Sequence, residues 1–114
     1  MSFRFQHREE KGVLILSLQG NLDASQTLSF KKDLSLFLQK DSPRILLDCS
    51  QLEFVDSTGL GSLISVLRKV EAKGGKLGFA ALSAEVASIF EITRLHKLFQ
   101  IFPNISSAVQ SLAQ

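Results

Sequence analysis

The sequence contains no tryptophan, no tyrosine and only one cysteine among its 114 residues. Because Cys49 is alone, it cannot close a disulfide within the chain, which is typical of proteins from a reducing compartment. No apolar run approaches the roughly 20 residues that cross a bilayer. The start, Met1 to Arg4, lacks the basic and then apolar order of a signal peptide. These absences predict a cytoplasmic protein with no membrane-inserted segment.

Concentrated positive charge is also missing. The formal net charge is only +2. The basic doublets Lys31-Lys32 and Arg68-Lys69 are isolated and do not belong to a basic arm. Doublets of this kind usually lie on a solvated helix face. Without a basic arm, tryptophan or tyrosine, the sequence predicts no nucleic-acid partner.

The usual signatures of an enzyme, a metal site or a cofactor are absent as well. His7 and His96 lie far apart, and neither has Cys or His at ligand spacing. No serine stands in a Gly-x-Ser-x-Gly elbow or suggests a catalytic triad. Gly74-Gly75-Lys76 is not a P-loop, and Gly59-Leu60-Gly61 lacks the third glycine of a dinucleotide fingerprint. We therefore expect no catalysis, no metal and no cofactor.

Apolar residues make up 45% of the chain, which predicts a globular domain over residues 1–114. Strand patterns cover residues 3–9, 13–18, 45–49, 76–81 and, less clearly, 98–102; helix patterns cover 24–40, 58–73 and 106–112, with a short helix after Ser83 that carries Val86, Ile89, Phe90 and Ile92. Lys11-Gly12 predicts a hairpin turn, and Asp23 or Ser25 could cap the first helix. The fold class is thus α/β, a mixed β-sheet of four to five strands flanked by about four helices.

The segment Phe54 to Gly61 stands where a predicted buried strand leads into the clearest amphipathic helix. A helix N-terminus offers free N–H groups and a partial positive charge, which suit a phosphate that is bound or covalently attached. One interpretation makes Asp56 or Ser57 a helix cap and nothing more. The other notes that the side of the helix away from its large apolar stripe begins with Gly61, Ser62 and Ser65, where a partner could approach closely. Spacing alone leaves both open.

The run Phe54-Val55-Asp56-Ser57-Thr58-Gly59-Leu60-Gly61 resembles the phosphorylation motif of bacterial anti-sigma factor antagonists, members of the STAS family (sulfate transporter and anti-sigma factor antagonist domains). The likeness extends over nearly the whole chain. Gly20 to Asp23 is similar to the family's Gly-x-Leu-Asp turn, Gly74-Gly75 lies where its second helix ends, and Phe90 to Leu95 is similar to the end of its third helix.

The resemblance implies a switch with no chemistry of its own. In that family, the serine directly after the Asp is phosphorylated by an anti-sigma factor that is also a serine kinase, which makes Ser57 the acceptor and Thr58 the lesser alternative. The unphosphorylated form binds the anti-sigma factor and frees the sigma factor, and a metal-dependent serine phosphatase resets the switch. The residues expected to contact the partner are Asp23, Asp56, Ser57, Thr58, Gly59, Gly61, Ser62 and Ser65.

Two positions depart from the family pattern. Asn21 stands where Glu is common, and Arg94 stands where Gly is common, so the third helix has no easy left-handed residue at its end. Two other functions stay open: a STAS subunit of another assembly, such as a lipid-transport complex or a signalling cascade unrelated to sigma factors, and a nucleotide-binding protein that uses the turn from Gly59 to Gly61.

Overall fold

A computed structural model of the chain describes residues 4–114. The strands are β1 (Arg4–Glu10), β2 (Val13–Leu22), β3 (Arg44–Val55), β4 (Lys76–Ala80) and β5 (Gln100–Phe102), and the helices are α1 (Thr27–Ser35), α2 (Ser57–Ala72), α3 (Ala84–Ile92) and α4 (Ile105–Leu112). The predicted order of elements is confirmed. Phe3, at the start of the first predicted strand, lies outside the described residues.

The five strands form one mixed sheet in the order β1-β2-β3-β4-β5. β1 runs antiparallel to β2, whereas β2 to β5 are parallel neighbours. β3 lies in the centre, and its predicted apolar run, Ile45 to Leu47, is fully buried because both faces of the sheet are covered there. The strand continues to Val55, six residues beyond the predicted end, and so delivers the chain to the start of α2.

The hairpin between β1 and β2 turns at Lys11 and Gly12, as predicted. Both residues have positive φ, 52° and 80°, and Glu10 pairs with Val13 across the turn. Two central residues with φ above zero match the right-handed twist of the flanking strands, which is why glycine is favoured there.

Helices cover the two faces of the sheet unequally. The larger core combines side chains from α1, α2 and α3 with one face of the strands, and Phe79, Phe90 and Phe99 pack together within it. On the other face, α4 is the one helix among residues 4–114 that packs against a smaller cluster, which contains Val13, Ile15, Leu46 and Ala80. Because β2, β3 and β4 are parallel and each is followed by a helix, α1, α2 and α3 all start at the same end of the sheet, beside the carboxyl ends of these strands.

Cationic side chains hold the end of α4 against the sheet. Arg44 and Lys76 are paired across β3 and β4. The Arg44 guanidinium donates to the carbonyl of Ala113, and Lys76 Nζ donates to the carbonyl of Gln114 at 3.2 Å. Cations near the last carbonyls of a helix satisfy orphan acceptors and oppose the negative end of its dipole.

The glycine pair predicted to end the second helix does so. Gly74 is left-handed, with φ 73°. Its N–H bonds to the carbonyl of Glu71, and the Gly75 N–H bonds to the carbonyl of Val70 at 2.9 Å. This is the Schellman arrangement, in which a left-handed residue satisfies the last free carbonyls of a helix.

The start of the first helix was predicted wrongly. α1 begins at Thr27 after Gln26, whose side chain makes no capping hydrogen bond. Neither Asp23 nor Ser25 is the cap, because the Asp23 carbonyl accepts the N–H groups of Gln26 and Thr27 and forms a turn before the helix. The helix also changes to a 3₁₀ turn at Leu36–Leu38 and does not continue to residue 40.

The end of α3 differs from expectation in two ways. Ile92, counted among the apolar positions of this helix, is 82% exposed. Arg94 takes the left-handed conformation itself, with φ 62°, although it stands where glycine would adopt it at little cost.

The cap at Ser83 is confirmed, since its Oγ accepts the Val86 N–H at 3.2 Å. Among residues 4–114, no helix combines the length and apolar character needed to span a membrane.

Candidate functional site

The candidate site is built around Asp56, the residue between the end of β3 and the start of α2. Its Oδ1 accepts the N–H of Gly59 at 2.8 Å, which makes Asp56 the N-cap of α2. An extended backbone with a short acceptor side chain is what a helix start requires, because the first N–H groups have no partner inside the helix. The predicted cap is thus confirmed at Asp56.

The second carboxylate oxygen of Asp56 reaches another element. Oδ2 accepts the N–H of Ala24 at 3.1 Å, in the loop between β2 and α1. The Asp56 N–H also bonds to the carbonyl of Leu22 at 3.2 Å. One side chain therefore caps α2 and fastens the loop that precedes α1, so the two helix starts are held side by side.

These hydrogen bonds keep Asp56 ionised. The pKa of its carboxyl lies below the ordinary value, chiefly because the Gly59 N–H and then the Thr58 hydroxyl donate to the charged form. The carboxylate also occupies the Gly59 N–H, one of the donors that a free phosphate would use at this helix start. A nucleotide phosphate held by the turn from Gly59 to Gly61 would have to displace it.

The two hydroxyls that follow Asp56 differ in their bonding. Ser57 is the first residue of α2 and is exposed; its hydroxyl has no hydrogen-bond partner among the described residues. The Thr58 hydroxyl donates to Asp56 Oδ1 at 2.7 Å. The prediction that Ser57 would be exposed at the start of the second helix is confirmed. Of the two hydroxyl groups, only that of Thr58 is engaged within the described part of the chain.

Asp23 lies in the loop that Asp56 fastens. Its Oδ1 accepts the N–H of Ser25 at 3.1 Å and the Ser25 hydroxyl at 2.6 Å. The structure therefore brings the Asp23 loop to the start of α2, through the bond from Ala24 to Asp56. Sequence reasoning missed Ala24, since a backbone N–H that bonds 32 positions away along the chain leaves no residue-type signal.

Gly59 faces inward, and packing explains why this position is glycine. A Cβ at this position would lie 2.2 Å from the carbonyl oxygen of Leu22 and 2.8 Å from Cγ1 of Val55. Only glycine lets α2 approach β2 this closely. Gly59 is buried in the free chain, so packing alone accounts for its small size, and its expected contact with a partner stays a prediction.

The predicted small-residue side of α2 is only partly exposed. Gly61 is exposed and Ser65 is half-buried, but Ser62 is 3% exposed. Its hydroxyl donates to the carbonyl of Gly59 at 2.6 Å, which satisfies the polar group inside the protein. Ser62 was thus wrongly placed on the partner-facing side. Val66 is buried on the same helix as well.

Comparisons with known proteins agree with this geometry. The family model described as the STAS domain matches residues 4–108. The anti-sigma F factor antagonist of Paenibacillus polymyxa is 26% identical over 113 residues, which cover 98% of this chain and 97% of that protein. The anti-sigma-B factor antagonist of Listeria monocytogenes is 27% identical over 101 residues, 89% of this chain and 88% of that protein.

A solved structure shows the same fold. The crystal structure of an anti-sigma factor antagonist from Mycobacterium paratuberculosis superposes with a TM-score of 0.88 at 22% identity, over 99% of this chain and 96% of that one. The mixed sheet, the helix order and the Asp-Ser-Thr-Gly turn thus occur in a chain that matches the STAS domain over residues 4–108. The protein belongs to the STAS domain family.

Proposed function

We propose that this chain is a phosphorylatable anti-sigma factor antagonist that acts in the cytoplasm. When Ser57 is unphosphorylated, the chain binds an anti-sigma factor that is also a serine kinase, and the sigma factor is released. One observation carries the proposal: Ser57 is exposed at the start of α2 with its hydroxyl unengaged among the described residues, while the Thr58 hydroxyl is bonded to Asp56.

The chain would be the substrate in the modification step. The Ser57 oxygen attacks the γ-phosphorus of ATP held by the kinase, the bond to ADP breaks, and the hydroxyl proton passes to a base of the kinase. A metal-dependent serine phosphatase removes the group by hydrolysis. Catalytic groups belong to these two partners, and the chain contributes an accessible hydroxyl on a fixed helix start.

The phosphate acts on the interface. It adds about −1.5 to −2 charges at neutral pH, directly beside the ionised Asp56. A partner that packs closely on this end of the sheet would have to cover that charge without pairing it, which is far more costly than leaving it in water. The proposed contact surface is Asp23, Asp56, Ser57, Thr58, Gly61 and Ser65.

The test compares Ser57→Ala with Ser57→Asp in binding to a purified anti-sigma factor kinase. Ser57→Ala should bind as the wild type does and resist phosphorylation, whereas Ser57→Asp should bind more weakly. Ser88→Asp is the matched control, since it adds the same charge at an exposed position of α3 and should leave affinity unchanged. A wild-type chain that binds no anti-sigma factor would overturn the proposal.

A further inference from the structure

Leu28 is an exposed apolar side chain at the end of the molecule that carries Ser57. It is the second residue of α1 and 79% exposed, whereas Phe30 and Leu34 of the same helix are buried in the core. Because β2 and β3 are parallel and each is followed by its helix, α1 and α2 begin at the same end of the sheet. Leu28 and Ser57 both lie in the first turn of their helices, so they share that end.

The backbone that presents Leu28 is fixed before any partner arrives. The Ala24 N–H is held by Asp56, and the Asp23 carbonyl accepts the N–H groups of Gln26 at 2.9 Å and Thr27 at 3.1 Å. A side chain on a loop and helix start ordered in this way costs little additional conformational entropy when it docks. Leu28 is therefore presented as an apolar side chain on an ordered backbone.

The carboxylates at this end of the molecule are already engaged within the chain. Asp23 and Asp56 accept hydrogen bonds from Ser25, Ala24 and the start of α2, and the cations next to Leu28 on its helix, Lys31 and Lys32, lie one turn further along α1. Ala24 and Ser25 are exposed and small. Gln26, the large side chain of the same loop, is half-buried and donates to the Ser25 hydroxyl at 3.2 Å, so a partner surface can still reach Leu28 past the two small residues. Binding energy at protein interfaces is concentrated in a few residues that become desolvated at the centre of the contact.

We propose that Leu28 is the apolar anchor of this interface and inserts into an apolar pocket of the anti-sigma factor, with Ser57 covered by the rim of that contact. The inference rests on the proposed function and assigns its partner-binding energy to a residue outside the phosphorylation motif. It also explains how one phosphate can block a whole interface: a charged group on Ser57 holds the partner away from Leu28.

The experiment measures affinity of the full unphosphorylated chain for the purified anti-sigma factor by calorimetry. Leu28→Ala should lower affinity at least tenfold, and Leu28→Met, which keeps the apolar volume, should stay within about threefold of the wild type. Leu36→Ala is the matched control. Leu36 is also exposed, at 66%, and follows the same helix at its other end, so its loss should leave affinity unchanged.

Thermal melts of the three variants confirm that each is folded. Equal affinity of the wild type and Leu28→Ala would overturn the anchor while leaving the proposed function intact. A similar loss in Leu36→Ala would also overturn it, because the effect would then not belong to the Ser57 end. A wild-type chain that binds no anti-sigma factor would overturn the proposed function and this inference together.

Discussion

The Thr58 hydroxyl donates a 2.7 Å hydrogen bond to the carboxylate of Asp56, the cap of the helix that Thr58 belongs to. Phosphorylation of Thr58 would remove that donor and set a second negative charge against the same oxygen. Ser57 has no such bond to lose. We therefore expect the cognate kinase to modify Ser57 almost exclusively.

Site-localised mass spectrometry after incubation with kinase and ATP measures this preference. Ser57→Ala should abolish incorporation, and Thr58→Ala should retain it. Majority modification of Thr58 with Ser57 unmodified would reverse the assignment.

Phosphorylation should change affinity much more than stability. An anion at a helix N-terminus gains roughly 0.3 to 1 kcal/mol from the dipole, while repulsion from Asp56 opposes it and is weakened by solvent and salt. The two effects offset each other in the free protein. Thermal melts of the phosphorylated and unmodified forms should differ by only a few degrees, whereas affinity for the anti-sigma factor should fall at least about tenfold, or 1.4 kcal/mol. A large drop in melting temperature would show that the switch works by local unfolding.

The two glycines of the helix start should respond oppositely to alanine. Gly59→Ala forces a Cβ within 2.2 Å of the Leu22 carbonyl oxygen, and overpacking of this kind costs about 1 to 3 kcal/mol. At Gly61 a Cβ meets no heavy atom within 4 Å, so Gly61→Ala should gain up to about 1 kcal/mol of helix propensity. Urea unfolding gives both values. Equal effects would mean that α2 is free to move away from β2.

Asp56 should make the stability of the chain fall in acid. Its pKa is lower in the folded chain than the ordinary value of 3.8. Such a carboxyl contributes stability above its unfolded pKa and loses that contribution as the pH falls through its folded pKa. The difference in free energy of unfolding between wild type and Asp56→Asn should therefore be constant from about pH 7 to 5 and shrink below about pH 4. A difference that persists unchanged at lower pH would show that the charge is not what stabilises this turn.

Arg94 is expected to be a site where the chain can be stabilised. A non-glycine residue in the left-handed region costs roughly 1 to 2 kcal/mol, and glycine recovers part of this at the expense of a more flexible unfolded chain. Arg94→Gly should therefore raise the free energy of unfolding by about 0.5 to 1 kcal/mol. Arg94→Ala removes the same side chain without relieving the backbone, and should give no gain in urea unfolding.

Much of the fold could be predicted because its signals are local. The apolar run at Ile45 to Leu47, the turn at Lys11 and Gly12, and the cap at Ser83 each depend on a few neighbouring residues. The positions that were misplaced depend on which way a side chain faces in the folded chain. Ile92 is apolar but lies off the inward face of α3, so composition alone suggested packing that its exposure excludes.

The sequence predicted which residues form the candidate site, but it did not predict the contacts between them. A carboxylate before a helix start signals a cap, which located Asp56. Nothing local shows that its second oxygen holds Ala24, since that contact exists only after β2 and β3 pair. Ser62 was misplaced for a related reason: its hydroxyl is satisfied by the Gly59 carbonyl one turn back, so a serine can occupy a buried position that a count of apolar residues assigns to solvent.

Because different parts of the chain cover the two faces of the sheet, the two faces are completed at different times during synthesis. Every element of the larger core has left the ribosome by the time Phe99 emerges, whereas Val13, Ile15 and Leu46 wait for α4. A growing chain that stops before Ile105 thus displays a bare apolar sheet face beside a core that already has all its parts. Arg44 and Lys76 then donate hydrogen bonds to the last carbonyls of α4. These bonds hold α4 against the second face after the first face is complete.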